Sequence, residues 1–226
     1  MDAGNGAGPS RSRYFTVETI RAASARMLAD LESTARGRLR LRPERSALLI
    51  VDMQAAFLDA TSHAFVPSAE AILPGLAELQ SAFADRGLPV ICTRHGNREQ
   101  DAGMMATWWG RRIEAGSSAT HLAEALAENC RRVLEKTQYD AFHRTSLHAD
   151  LSRLGVEQIV LTGVMTHLCC DTTARSAFVH GYEVFLPVDG TATYNEELHR
   201  ASLLGLSHGV AQLVLVADLL RRMEAV

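Results

Sequence analysis

Residues 163–178 read GVMTHLCCDTTARSAF and follow directly on the apolar run QIVLTGV of residues 158–164. An apolar run of strand length, followed by a polar stretch with helical spacing, predicts a β-strand, a sharp turn and a helix. Two adjacent cysteines, Cys169 and Cys170, lie in the predicted turn. Thiols in such a place can be a redox pair, metal ligands, a nucleophile with a neighbour, or small buried residues, and this stretch alone leaves all four open.

The same alternation of strand and helix patterns continues through the chain from residue 46 onward. Six apolar runs predict strands, at residues 47–53, 89–95, 132–136, 158–164, 182–189 and 211–218. Segments with helical spacing lie between them, at residues 69–87, 118–129, 146–156, 171–181 and 195–209. Nearly continuous apolar strands that alternate with helices predict an α/β fold whose parallel sheet is covered on both faces.

The region before this domain has a different character. Residues 1–15 are polar and rich in glycine, so we predict a disordered tip there. Residues 16–45 are predicted to hold an extra N-terminal helix, at residues 16–34, and a connection to the main domain at 46–226. The apolar stripe of this helix can pack on its own domain or on a neighbouring subunit, and the sequence does not distinguish the two.

Composition narrows the class of partner. The chain has 226 residues, 47% of them hydrophobic, and a formal net charge of −3, with no basic stripe that would follow a phosphate backbone. No segment offers 18 uninterrupted apolar residues, and the four cysteines lack the density of a secreted disulfide framework. We therefore expect a cytoplasmic protein with a small-molecule substrate, and neither nucleic acid nor a membrane as partner.

Three reactive side chains lie at the ends of separate predicted strands. Asp52 ends the first strand, Lys136 ends the third, and Cys169 follows the fourth. Each type of residue, taken alone, is more often a helix cap, a surface lysine or a small buried thiol. A doubly wound sheet, however, brings the carboxyl ends of its strands to one edge, where ligands bind. The helix after Cys169 and a nearby lysine are expected to lower the pKa of its thiol.

Four stretches of the chain together resemble one family. They are ALLIVDMQAAFLD at 47–59, PVICTRHGN at 89–97, LEKTQYDAF at 134–142, and the segment 161–193 that begins LTGVMTHLCC. In order and spacing they are similar to the isochorismatase-like cysteine hydrolases, which include nicotinamidases and N-carbamoylsarcosine amidohydrolases. The resemblance implies a three-layer, doubly wound fold with six mostly parallel strands, and it favours a homodimer or higher homo-oligomer.

The resemblance also implies a catalytic apparatus. It assigns the family's Asp, Lys and nucleophilic Cys to Asp52, Lys136 and Cys169. It further implies a cis peptide between Val164 and Met165 and an oxyanion hole made by the backbone N–H groups of Met165 and Cys169. The implied reaction is hydrolysis of a small-molecule C–N bond (amide, ureido or carbamoyl) through a thioester intermediate.

The substrate pocket is predicted from positions near the strand ends. The expected lining combines aromatic surface with a few polar anchors: Gln54, Phe57, His63, Arg94, His95, Trp108, Tyr139, Phe142 and Thr166. Arg94 can pair with an anionic group of a substrate or with a neighbouring carboxylate. His63 and His95 have no third ligand in the sequence pattern, so we expect no metal and no other cofactor.

Three other functions remain open at this stage. Isochorismatases cleave a vinyl ether with the Asp and without a thiol, and ATWWG at 106–110 is similar to them, whereas Cys169 and His95 differ from their pattern. A non-catalytic binding or assembly module is a second possibility, which the retained Asp, Lys and Cys argue against. A thiol oxidoreductase is a third, and the adjacent cysteines argue against it because redox motifs have a two-residue spacing.

Overall fold

The computed structural model describes residues 10–31 and 39–224, and within these ranges seven strands form one sheet. The strands are β1 Ser46–Val51, β2 Val90–His95, β3 Arg132–Lys136, β4 Gln158–Val164, β5 Glu183–Pro187, β6 Thr191–Ala192 and β7 Ala211–Val214. Their order is β3-β2-β1-β4-β5-β7, with β6 paired to β4, and every pairing is parallel. The predicted α/β fold class is confirmed, and the strand beyond the predicted six is the two-residue β6.

The described ranges contain nine α-helices, most of which pack on one face of the sheet or the other. They are α1 Ile20–Leu31, α2 Ala55–Leu58, α3 Ala69–Ala84, α4 Met104–Trp109, α5 Glu124–Ala127, α6 Leu147–Arg153, α7 Asp171–Val179, α8 Glu196–Gly209 and α9 Val216–Glu224. A π-helical turn, Thr166–Cys170, joins β4 to α7.

Two predicted elements are wrong in extent. The strand predicted at 211–218 ends at Val214, because the backbone N–H of Val216 donates to Asp189 Oδ1 at 2.8 Å and the chain turns there into α9. The helix predicted at 118–129 is a 3₁₀ turn, Ser118–Thr120, followed by the four-residue α5. Helices α2, α4 and α9 were not predicted.

The central strand β1 divides its side chains between two hydrophobic clusters, one on each face of the sheet. Leu48 and Ile50 pack in the cluster that includes α3 and α9, whereas Leu49 and Val51 pack in the cluster that includes α6, α7 and α8. All six residues of the strand are buried. This two-sided burial explains why the strand reads as a continuous apolar run.

The order of the strands fixes the place of the site. The chain runs outward from β1 to β2 and β3, and then returns to the other side of β1 to form β4. Such a reversal opens a crevice at the carboxyl ends of the two strands that flank it, here β1 and β4. The crevice therefore lies where Asp52 and the π-helical turn follow their strands.

Residues 10–15 lie against the domain. The backbone N–H groups of Tyr14 and Phe15 donate to Ser68 Oγ at 3.0 and 3.1 Å, and the N–H of Ser12 donates to the carbonyl oxygen of Tyr194. Phe15 is fully buried, with its ring edge-on to His199. The predicted disordered tip is therefore wrong for residues 10–15, and residues 1–9 of it lie outside the described part of the chain.

Helix α1 packs on its own chain. Met27 is buried in the cluster with α8, and Asp30 accepts from Arg200 of α8 at 3.0 Å. The helix begins at Ile20, after a turn in which the N–H of Thr19 donates to the carbonyl of Thr16. Residues 32–34 of the predicted helix lie outside the described ranges. The apolar stripe thus has a partner within the chain.

The structure joins Cys92 of β2 and Cys130 in a disulfide, with their Cα atoms 5.8 Å apart. The cysteine count did not anticipate this pair, because β2 and β3 bring together two residues that are 38 positions apart in sequence.

Among the residues described, no helix combines the length and the apolar character that crossing a membrane requires.

A substitution at Gly163 tests how closely β1 packs on β4. Its φ is +109°, and a Cβ atom there would lie 2.0 Å from the carbonyl oxygen of Val51. We expect Gly163→Ala to lower the free energy of unfolding by about 3 kcal/mol, since backbone atoms must move. Urea denaturation measures this, with Gly75→Ala in α3 as the control. That change has space and favours helix, so it is expected to be neutral or stabilising by up to about 1 kcal/mol.

His199 makes stability depend on pH. Burial lowers its pKa to about 3, far below the value of about 6.5 in an unfolded chain. Between these values only the unfolded chain binds the proton, so we expect the free energy of unfolding to fall as the pH drops from 6.5 to 4.5. His199→Gln should reduce this slope by about 1.4 kcal/mol per pH unit in urea titrations. An unchanged slope in the variant would contradict the assignment.

Candidate active site

The three reactive side chains predicted from the strand ends are in contact. Lys136 Nζ lies 2.7 Å from Asp52 Oδ2 and donates to Cys169 Sγ at 3.3 Å. The side chains of Asp52 and Lys136 are fully buried, and Cys169 is 4% exposed. The topology of the sheet thus produces the expected cluster of a carboxylate, an ammonium and a thiol.

Asp52 is held in place by the neighbouring strand β2. Its backbone N–H donates to Thr93, at 3.2 Å to both the carbonyl and the hydroxyl oxygen, and Thr93 Oγ1 donates to Asp52 Oδ1 at 2.6 Å. Asp52 has a φ of +52°, a left-handed conformation that is uncommon outside glycine. One carboxylate oxygen is therefore bound by Thr93 and the other by Lys136.

Lys136 is charged despite its burial. Burial alone would lower the pKa of its ammonium, but the negative charge of Asp52 and the hydrogen bond to Cys169 raise it above the ordinary value. Its third contact is the carbonyl oxygen of Gln138, at 2.9 Å. The ammonium group therefore lies within 3.3 Å of three acceptor atoms.

The thiol of Cys169 is protonated at neutral pH. Burial raises its pKa to about 12, Lys136 acts in the opposite direction, and the carboxylate of Asp52 raises the pKa further. The predicted lowering of the pKa is therefore wrong in its net sign, because desolvation of the thiolate outweighs the effect of Lys136. A nucleophilic reaction of this thiol requires a base, and Asp52 is adjacent.

The two neighbouring cysteines occupy different surroundings. Cys169 lines a cavity that is open to solvent, whereas Cys170 is fully buried in the core, 4.0 Å from the carbonyl oxygen of Thr162. Neither is in a disulfide. The peptide bond between Val164 and Met165, just before this turn, is cis, where the resemblance implies one.

The cavity above Cys169 has a volume of about 390 Å³. Its walls are formed by Arg11, Phe57, His63, Ala64, His95, Asn97, Met105, Trp109, Arg111, Arg112, Ile113, Tyr139, Met165, Leu168, Cys169 and Tyr194. Four of the nine predicted pocket residues are among them: Phe57, His63, His95 and Tyr139. The cavity is of a size that takes a small organic molecule.

Gln54 and Thr166, two of the other predicted pocket residues, are buried parts of the framework. Gln54 donates to the backbone carbonyl of His95 at 2.9 Å and accepts from its N–H at 2.7 Å. Thr166 Oγ1 is bonded to His199 Nδ1 at 2.9 Å. Both side chains therefore support the site from below and do not line it.

Three further predicted pocket residues face away from the cavity. Arg94 pairs with Glu135 at 2.5 Å on the outer surface, and Phe142 packs against the rings of His180 and Tyr182. Trp108 is 75% exposed. The structure therefore leaves these three side chains out of the cavity lining, because position near a strand end does not determine the direction of a side chain.

Trp109, the neighbour of Trp108, lines the cavity, and its Nε1 donates to Tyr139 Oη at 2.7 Å. Sequence reasoning also missed Arg11, Arg111 and Tyr194. Arg111 directly follows the WWG motif at 108–110, which could have drawn attention to it. Arg11 lies in the segment predicted to be disordered, so no local signal pointed to it.

His95 is a neutral wall of the cavity. Burial lowers its pKa to about 4, and the charge of Lys136 acts in the same direction. Asn97 lies beside it in the wall. Within residues 10–31 and 39–224, no three His, Cys, Asp or Glu side chains are grouped to hold a metal ion. The residues present at this site therefore do not fit a bound metal.

Comparisons with known proteins show which family the chain resembles. The family model described as "Isochorismatase domain" matches residues 46–218. Nicotinamidase 3 of Arabidopsis thaliana is 38% identical over 182 residues, which are 78% of this chain and 87% of that protein. The isochorismatase of Bacillus subtilis is 29% identical over 80% of this chain and 59% of its own length.

A comparison with solved structures finds the same fold. A cysteine hydrolase from Pseudomonas syringae pv. phaseolicola superposes with a TM-score of 0.79 at 26% identity, over 83% of this chain and 96% of that one. Its sheet and helices correspond to the fold described above. From the extent of the family match and the identity to the plant relative, the chain belongs to the isochorismatase family of hydrolases.

Proposed function

We propose that the protein hydrolyses a C–N bond of a small molecule, of the amide, ureido or carbamoyl type, through a thioester on Cys169. The observation that carries this proposal is the contact of Lys136 with both Asp52 and Cys169 at the floor of a cavity. The similarity to a nicotinamidase supports amide hydrolysis in particular, so nicotinamide is the first compound to test.

In the first half of the reaction, Asp52 accepts the proton of the Cys169 thiol while Sγ attacks the carbonyl carbon. The negative charge that develops on the carbonyl oxygen is stabilised by the backbone N–H groups of Met165 and Cys169. Asp52 then returns the proton to the nitrogen, the C–N bond breaks, and ammonia or an amine leaves. The acyl group remains on Sγ as a thioester.

In the second half, Asp52 accepts a proton from water, and the hydroxide attacks the thioester carbonyl. The C–S bond breaks, the carboxylic acid leaves, and the Cys169 thiolate recovers its proton from Asp52. Lys136 keeps its positive charge throughout. It stabilises the thiolate whenever one forms in this desolvated place.

Hydrolysis of a vinyl ether is the second candidate, favoured by the similarity to the isochorismatase of Bacillus subtilis. In that reaction Asp52 donates a proton and the thiol has no role. The two candidates therefore differ in their dependence on Cys169. Release of ammonia from amides and release of pyruvate from isochorismate distinguish them.

We expect Cys169→Ala to lower amide turnover by at least about a thousandfold, because it removes the nucleophile. Ammonia release from nicotinamide and a panel of small amides measures the loss. Cys170→Ala is the matched control, since that thiol lies in the core, and its turnover should stay within a few-fold of wild type. Full activity in Cys169→Ala, or pyruvate release that it leaves unchanged, would contradict the thioester route.

A second prediction separates the structural role of Asp52 from its chemical role. Asp52→Asn leaves the buried Lys136 ammonium without a counter-charge, so we expect a loss of about 3 to 5 kcal/mol in unfolding free energy as well as loss of turnover. Adding Lys136→Met should recover most of the stability, because no buried charge remains.

Turnover should stay absent in this double variant, which lacks the proton acceptor. Urea denaturation and ammonia release, measured on the same preparations, give the two readouts. An active double variant would show that Asp52 is not the base.

A further inference from the structure

The walls of the catalytic cavity carry an unbalanced charge. Three arginines line it, Arg11, Arg111 and Arg112, and its lining contains no aspartate or glutamate. The carboxylate below the thiol, Asp52, is already paired with Lys136. A molecule that enters the cavity therefore meets positive charge at the walls.

Two of these arginines have no carboxylate partner. Arg112 pairs with Glu114 at 2.7 Å, whereas Arg11 and Arg111 have no ion pair within the part of the chain that the structure describes. Arg11 donates to the backbone carbonyl of His63. A guanidinium has five N–H donors, so donors remain available on both residues.

The two guanidinium groups act on the same part of the cavity. His63 lines it, and its pKa is lowered by burial and then by the charges of Arg111 and Arg11. Arg11 also lies over the ring of Tyr194, 4.5 Å from its centroid, which fixes the direction of the arginine. Arg111 and Arg11 thus approach one region from two segments of the chain that are 100 positions apart.

We propose that Arg11 and Arg111 form an anion subsite, and that the substrate is an amide that carries a carboxylate away from the scissile C–N bond. This inference rests on the proposed function and narrows its substrate class. Arginine suits the role because its planar N–H groups match the two oxygens of a carboxylate. The subsite includes a residue, Arg11, that lies outside the family domain at 46–218.

The other walls of the cavity indicate the shape of the rest of the proposed substrate. Phe57, Trp109, Tyr139 and Tyr194 provide the aromatic surface of the cavity. Trp109 and Tyr139 are linked by their hydrogen bond, so these two rings form a fixed wall. A flat or apolar body with an amide at one end and a carboxylate at the other matches this arrangement.

Pairs of amides that differ by one carboxylate test the proposal. The probes are 4-carbamoylbenzoate with benzamide, and succinamate with butyramide, and the readout is kcat/KM from ammonia release. We expect wild type to favour the anionic member of at least one pair by tenfold or more. Arg11→Gln and Arg111→Gln should each lower this preference, the ratio of kcat/KM for the anionic member to that for the neutral member, at least tenfold.

Arg13→Gln is the matched control. Arg13 lies in the same N-terminal segment and pairs with Glu70 on the surface away from the cavity. Its substitution removes the same charge as the other two variants. It should keep the wild-type preference. Equal turnover of charged and neutral members, or a preference that all three variants share, would overturn the anion subsite and leave C–N hydrolysis standing.

A binding measurement separates this inference from the proposed function. Calorimetry on Cys169→Ala should show 4-carbamoylbenzoate bound at least tenfold more tightly than benzamide, and Arg111→Gln in that background should remove the difference. If this holds while wild type hydrolyses none of the four amides, the subsite stands and hydrolysis of this class fails. If binding shows no preference for the anion, the subsite is wrong whatever the turnover.

Discussion

The ion pair between Lys136 and Asp52 crosses the width of a strand, because β2 lies between the two strands that supply these residues. Thr93 of β2 binds the other oxygen of the same carboxylate. Removing two charges from water costs several kcal/mol per ion, and only close geometry with further hydrogen bonds offsets it. The register of three neighbouring strands must therefore be correct before these charges are tolerated, and Cys169 is then added from β4.

The same burial governs the thiol. A charged pair is already present, so a third charge in this desolvated place is unfavourable, and Cys169 remains neutral until its proton has an acceptor. In the proposed reaction the proton moves only to the adjacent Asp52 and back. The total charge of the cluster then stays constant while the acyl group is exchanged, which avoids the desolvation of a new ion.

The sequence predicted the fold well because the central strands are buried on both faces and read as apolar runs. It also located Asp52, Lys136 and Cys169, since parallel strands place their carboxyl ends at one edge. It failed where tertiary contacts decide. Asp189 starts a helix within a predicted strand, and residues 10–15 look disordered until Ser68 is seen to bind their backbone. Side-chain direction, as for Trp108 and Trp109, is likewise set by packing that local spacing does not encode.

Because residues 10–15 are attached to the domain, the proposed reacting groups and one part of the cavity wall come from different parts of the sequence. In the proposed function, the reacting groups come from the ends of buried strands and the turn after β4, where almost any change disturbs the packing. One wall of the cavity comes instead from a short segment that is fixed through backbone contacts to Ser68 and Tyr194 and through one buried ring, Phe15. The exposed side chains of this segment can vary without affecting those anchors. Substrate choice can thus diverge between relatives whose catalytic strands stay the same.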